Sequence, residues 1–274
     1  MNQNPLKQYF RRPSIHVTIP TGGKHYSAQI LELTETGQLP IYPMTANDEI
    51  ISRTPDALFN GSAVASVIQS CVPAVKNAWA LDAADVEALM IAIRIATNGE
   101  EMDIETTCPE CREESAYGVN LSGVLTQVRN PDFNIIMELG DLQIKFRSLT
   151  FKEMNNNGDE QFEIQKLTRE VTQMEDGPEK NRLAGQLLTR MNELQFKIIA
   201  RSIEYIKTPE VRVNQQDFIV DFLKNCDKRM FENIRNRSME LREQAQSKQL
   251  KIVCQHCQHN YEQKIEFNIT DFFV

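Results

Sequence analysis

Two cysteine pairs constrain this chain more than anything else in it. Cys108 and Cys111 form one C-x-x-C, and Cys254 and Cys257 form another. Two residues between cysteines let a tight turn aim both sulfurs at one ion, so each pair can supply half of a tetrahedral thiolate site. Their surroundings match. The first pair ends Ile104-Glu-Thr-Thr-Cys-Pro-Glu-Cys and leads to Tyr117, Val119 and Leu121. The second ends Leu250-Lys-Ile-Val-Cys-Gln-His-Cys and leads to Tyr261, Ile265, Phe267 and Ile269. Alternating apolar positions on the outgoing arms read as strand, knuckle, strand. Two such knuckles face to face make a zinc-ribbon-like cluster. Everything between Cys111 and Cys254 must then leave one place and return to it.

Other uses of the thiols fit less of the pattern. Disulfides need an oxidising compartment, no secretory segment is visible, and Cys71 and Cys226 are left over. A redox C-x-x-C, or a reducible thiol cluster, accounts for one pair more readily than for two with matched flanks. The expected ligands of a structural Zn2+ are therefore Cys108, Cys111, Cys254 and Cys257. His256 and His259 read as exposed turn residues, although either imidazole has the chemistry to replace a sulfur. A closed four-thiolate site has no open position for water, so it holds a fold together instead of catalysing.

At 274 residues the chain is long enough to bury a core of one large or two intertwined domains. No apolar run approaches the ~20 residues of a bilayer span. A net charge of -8 argues against wrapping nucleic acid. The thiols point to a reduced, cytoplasmic place of synthesis.

Residues 1–14 read as a flexible arm. Strands are expected at Ile15–Ile19, Ala28–Leu33 and Leu39–Tyr42, with Thr21-Gly-Gly-Lys24 as a hairpin turn, because it lacks the spacing of a phosphate loop. Thr45 is placed as a helix N-cap with Asp48 as its capping-box partner. Helices follow at Pro55–Phe59 and Ser62–Val72. A stronger one runs from an Asp82 N-cap to a Gly99 stop, apolar on more than one face, with Arg94 in need of an acidic or carbonyl partner. Strands at Phe133–Leu139 and Asp141–Leu149 meet at a Gly140-Asp141 turn. Ile164, Leu167, Val171 and Met174, then Leu187, Met191, Leu194 and Ile198, step by three and four around a break at Asp176-Gly-Pro178. That is a helical hairpin. Two more helices start at Asn214 and Asp227.

The fold class is thus α+β: a small N-terminal β segment with buried helices, a two-knuckle cluster formed by distant segments, and an inserted helical hairpin or bundle. The expected division is an arm at 1–14, an α+β domain with the first knuckle at 15–130, a mostly helical domain opened by a β hairpin at 131–250, and a second knuckle with a C-terminal strand at 251–274.

Leu39-Pro-Ile-Tyr-Pro-Met-Thr-Ala-Asn-Asp-Glu49, then the Leu81–Gly99 helix, then C-x-x-C, resembles the base plate proteins of T4-like contractile-tailed bacteriophages, the hub-subunit family that assembles the centre of the tail tip. The resemblance is firmest over residues 15–125 and extends more loosely to the end. It implies a non-enzymatic structural or assembly role, with other baseplate hub or tape-measure proteins as partners and homo-oligomers compatible with it. The host cytoplasm during assembly and the virion tail baseplate are the implied locations. No catalytic residues come with it, and the sequence offers no Ser-His-Asp arrangement and no H-E-x-x-H. The alternative reading is a zinc-ribbon nucleic-acid-binding regulator using the basic Lys224–Lys251 stretch. A third is a metalloenzyme with one sulfur replaced by water.

Overall fold

The computed structural model describes residues 4–54, 61–246 and 249–264. The helix expected at Pro55–Phe59, and the C-terminal strand positions Ile265, Phe267 and Ile269, lie outside the described residues. The chain divides into two compact units, one made of residues 1–130 and 245–274, the other of residues 131–244. Small antiparallel sheets combine with helices in both, which makes the fold α+β.

In the first unit, β1 (Ile15–Val17) pairs antiparallel with β2 (Leu39–Ile41). Helix α1 (Ala46–Ser52) starts at a capping box: the Thr45 hydroxyl accepts the Asp48 N–H at 3.2 Å and the Asp48 carboxylate accepts the Thr45 N–H at 2.8 Å. α2 (Ser62–Cys71) and α3 (Ala83–Asn98) carry most of the core. Leu89, Ile91, Ala92 and Ile93 on α3 are all fully buried, so successive positions around the helix meet protein, as its all-round apolar sequence requires. Gly99, at φ 92°, ends it.

Strand Ala28–Leu33 does not form. The Ser27 carbonyl instead closes a turn onto the N–H groups of Ile30 and Leu31, and only Leu31 makes a bridge, to Val75. The loop before it is organised by a buried carboxylate that no local pattern reveals. Asp85 is fully buried and accepts bonds from the Thr21 N–H (3.0 Å), the Thr21 hydroxyl (2.6 Å) and the Tyr26 hydroxyl (2.6 Å). Burial pushes its carboxyl up, against those three donors. The Thr21–Lys24 turn is therefore a loop tied to a helix and not a hairpin. Gly23 is required there: its φ is 71°, and a Cβ would lie 2.9 Å from the Leu31 side chain. Asp82 holds the N-cap position without a capping bond and faces His25 at 3.4 Å. Arg94 has no partner of the kind its burial calls for, since its Nε and Nη1 are buried without a hydrogen bond, and desolvation lowers its pKa.

The stretch ahead of β1, read from sequence as an arm, carries a 3-10 turn at Pro5–Tyr9 and is pinned by Arg11. Arg11 donates through Nη1 to the Pro43 carbonyl (2.6 Å) and Asp48 Oδ2 (3.1 Å), and through Nη2 to the Ser70 carbonyl and hydroxyl (2.8 Å each).

The second unit opens with β5 (Met137–Leu139) and β6 (Leu142–Phe146), joined across Gly140-Asp141. The first strand begins four residues later than the apolar run suggests, because Asp132 Oδ1 accepts the Asn134 N–H at 2.8 Å and bends the chain. β7 (Ile203–Lys207) and β8 (Arg212–Val213) complete a sheet of order β5-β6-β7-β8. α5 (Phe151–Gln173) and α6 (Pro178–Arg201) form the expected hairpin. Met174 falls just outside the first helix, as its C-cap. Val171, Leu187 and Leu194 are buried, whereas Leu188 is exposed beside the stripe and Met191 is exposed on it, between Leu187 and Leu194. α7 (Gln216–Asn225) is capped at Gln215, one residue after the expected Asn214, and Asp227 caps α8 (Lys228–Gln246) through a 2.9 Å bond from the Met230 N–H. Ile144, Phe146, Ile203, Ile219, Leu223 and Ile234 form the centre of this unit's core.

Arg11→Ala should destabilise the first unit by about 1.5–3 kcal/mol, the range for hydrogen bonds to a charged group. Burial opposes charge on Asp48, but the Thr45 backbone, Ser70, the Thr45 hydroxyl and Arg11 together hold its carboxyl below the usual range. A depressed folded pKa contributes stability that is complete above the unfolded value of about 3.9 and is lost as pH falls through the folded one. Denaturant midpoints of wild type and Arg11→Ala should therefore differ most at neutral pH and less in acid, where the bonds to Pro43 and Ser70 remain.

Candidate metal centre

β3 (Glu101–Thr107) and β4 (Glu114–Asn120) form one hairpin, and β9 (Gln249–Val253) and β10 (Asn260–Lys264) form the other. Each carries a cysteine pair in its turn, and the two turns are built alike. The Cys108 N–H bonds to the Glu113 carbonyl (3.0 Å) and the Arg112 N–H to the Cys108 carbonyl (2.9 Å). At the same offsets, the Cys254 N–H bonds to the His259 carbonyl (2.9 Å) and the Gln258 N–H to the Cys254 carbonyl (3.0 Å). Arg112 and Gln258 both adopt left-handed backbone, φ 62° and 61°. Neither is a residue that advertises such a turn.

Side chains join the hairpins beside the sulfurs. The Thr106 hydroxyl donates to Gln263 Oε1 at 3.1 Å, and the Gln255 N–H and side-chain amide reach the Tyr117 hydroxyl and the Ala116 carbonyl, each at 3.3 Å. These links are invisible in either motif by itself.

All four thiol sulfurs lie within 4.8 Å of one another. Cys108 and Cys257 are 3.6 Å apart, as are Cys111 and Cys254. Sulfurs held about 2.3 Å from a tetrahedral zinc are about 3.8 Å from each other, so the spacing suits an ion and is far too long for disulfides of about 2.05 Å. Cys108 and Cys254 are buried. N–H groups of Cys257 and His256 favour the Cys254 thiolate and bring it down to about 6. The Glu113 N–H favours that of Cys111, yet burial and the three neighbouring thiols push it up to about 12. Four thiolates at this separation repel one another unless a cation sits among them. The geometry can hold a metal.

The sequence-named residues Cys108, Cys111, Cys254 and Cys257 come together as one group. His256 and His259 are exposed outside it, with His259 stacked on Tyr261 at 6.3 Å. Cys71 is a core residue whose thiol burial pushes up to about 11, and Cys226 stands apart in the second unit. Among the described residues no other group of three or more metal-capable side chains occurs. No described helix is long and apolar enough to cross a membrane.

Comparison with known families matches residues 12–274 to the family described as T4 bacteriophage base plate protein. The chain belongs to this family. Membership gives it a structural role in a phage tail, as a baseplate component that meets other tail proteins. No curated protein and no solved structure matches it.

Left-handed backbone costs a residue with a Cβ about 1–2 kcal/mol. Arg112→Gly or Gln258→Gly should therefore recover up to about that much, less the ~0.5–1 kcal/mol entropic cost of glycine, while Arg112→Val or Gln258→Val should destabilise the knuckle unit, because a branched Cβ fits this region worse still. Equilibrium denaturation of the four variants checks this.

Proposed function

We propose that this protein is a non-enzymatic subunit or assembly factor of the baseplate hub, closed by a structural Zn2+ on Cys108, Cys111, Cys254 and Cys257. The observation that carries the metal is the pair of like-built knuckles with all four sulfurs inside 4.8 Å. Zinc fits a closed all-thiolate set with no ligand position left for water, which also speaks against a catalytic metal. Apparent zinc binding of ~10–16 kcal/mol in small metal domains is comparable to the whole stability of a typical fold. One ion would then hold together the two distant chain segments that make up the first unit.

The helical hairpin supplies the surface for other tail proteins. Met154, Leu188 and Met191 are exposed on it, while Lys197 and Arg201 tie its helices together through Glu160. Hub subunits and tape-measure proteins are the partners this reading names. The nucleic-acid alternative is disfavoured by charge. Lys228 and Arg237 of the basic stretch are paired with Glu232 and Glu240, and the first knuckle is flanked by exposed Glu110, Glu113 and Glu114, which repel phosphate.

Elemental analysis of the purified chain should find one zinc per chain, and X-ray absorption should report four sulfur ligands. Cys108→Ser and Cys254→Ser should each abolish zinc retention and lower the melting temperature of the same unit, because one ion joins both knuckles. Full metal content in both variants would sink the shared site. A phage lacking the protein should fail to build tail tips, and normal tails from it would remove the hub assignment while leaving the metal untouched.

A further inference from the structure

The 3-10 turn at Pro5–Tyr9 is ordered without a core of its own. Residues 4–10 are all exposed, including Leu6 (60%), Tyr9 (77%) and Phe10 (58%). The turn is nevertheless held in shape: Asn4 caps it, Pro5 starts it, and Arg11 anchors its exit. Three large apolar side chains on a fixed, unburied turn are a docking element. Basic charge surrounds them. Residues 4–31 contain Lys7, Arg11, Arg12 and Lys24 and no acidic residue. Arg11 is used internally, while no described ion pair involves Lys7 or Arg12.

The complement lies on the same chain. Residues 100–114 hold seven acidic residues against Arg112, all seven exposed and none in a described ion pair. Glu101, Asp103 and Glu105 alternate along the outer face of β3, and Gly118 and Ala116 stand opposite Asp103 and Glu105 on β4. A Cβ on Gly118 would meet nothing closer than Asp103 Oδ1 at 3.8 Å. The face thus sets two small residues of β4 beside a row of carboxylates on β3. The small residues leave room for an apolar side chain, and Lys7 and Arg12 complement the carboxylates.

We infer that the Leu6–Arg12 hook of one copy docks on the β3–β4 outer face of a second copy. The hook and the face are different surfaces, so each contact leaves one of each free and the chain associates head to tail, into a ring or a short filament. The contact draws on Leu6, Lys7, Tyr9 and Phe10, which lie outside the family-matched region. It is also independent of the metal reading.

Analytical ultracentrifugation of the full, metal-replete chain tests it. At about 0.02 M salt the weight-average mass should rise at least about twofold above 31.5 kDa, and at about 0.5 M salt it should return to it. The double variants Lys7→Glu/Arg12→Glu and Asp103→Lys/Glu105→Lys alter only exposed, unpaired side chains; each alone should weaken association at least about tenfold. Mixed in equal amounts they should recover assemblies larger than a dimer, since the wild-type hook of one meets the wild-type face of the other and the reversed hook meets the reversed face. A wild-type chain that stays monomeric at low salt overturns the inference, even if the hook binds another tail protein. So does an oligomer that survives high salt or either double variant.

Discussion

Four sulfurs within 4.8 Å are the constraint on which the first unit depends. Two come from the Cys108 turn and two from the Cys254 turn, with the whole second unit between them in sequence. Closing so long a loop costs entropy, but that cost grows only with the logarithm of loop length, so a large insertion is tolerated if the closure itself is strong. The hydrogen bonds that link the hairpins are few and partly exposed, and at about 1 kcal/mol each they cannot supply such strength. Thiol crowding without a cation works against closure. With a divalent ion the same crowding becomes four bonds, and the sign of the local energy reverses.

What the sequence made legible is what local chemistry decides. The C-x-x-C turns, the Thr45–Asp48 capping box, the Gly99 stop and the Pro178 restart each depend on residues within one turn of chain, and each appears where the spacing puts it. The convergence of the two knuckles was readable too, because four thiols with matched flanks have few other uses. Long-range polar pairing was not readable. Asp85 looks like an acidic residue of a helix's first turn, a common and unremarked choice, yet it captures Thr21 and Tyr26 and ties the loop between them to the helix. Arg11 looks like one of three basic residues in an N-terminal arm, and nothing near it announces Asp48 or Ser70. Both failures have one origin: a buried charge selects its partner through the fold, and no periodicity encodes the choice.

Arg112 and Gln258 show a third kind of concealment. A left-handed position usually selects glycine or asparagine, and here two longer residues occupy it at the same place in both turns. The turn bonds from Cys108 to Glu113 and from Cys254 to His259 fix the backbone on either side, so the surroundings over-determine a conformation that the residue would not choose. Sequence alone supplies the cysteine spacing and leaves this cost out of sight.

Charge links the candidate centre to the surface around it. A divalent ion bound by four thiolates carries a net charge of about -2, and Glu110, Glu113 and Glu114 stand exposed on the same turn. Backbone N–H groups favour the Cys254 thiolate, and a basic residue, Arg112, occupies the left-handed position between two glutamates of the first turn. The same field extends over the outer face of β3, where no described internal cation neutralises Glu101, Asp103 or Glu105. A face of this kind repels phosphate and attracts a basic, partly apolar segment. One distribution of charge therefore sets both how firmly the knuckles must be held and which neighbours the unit accepts.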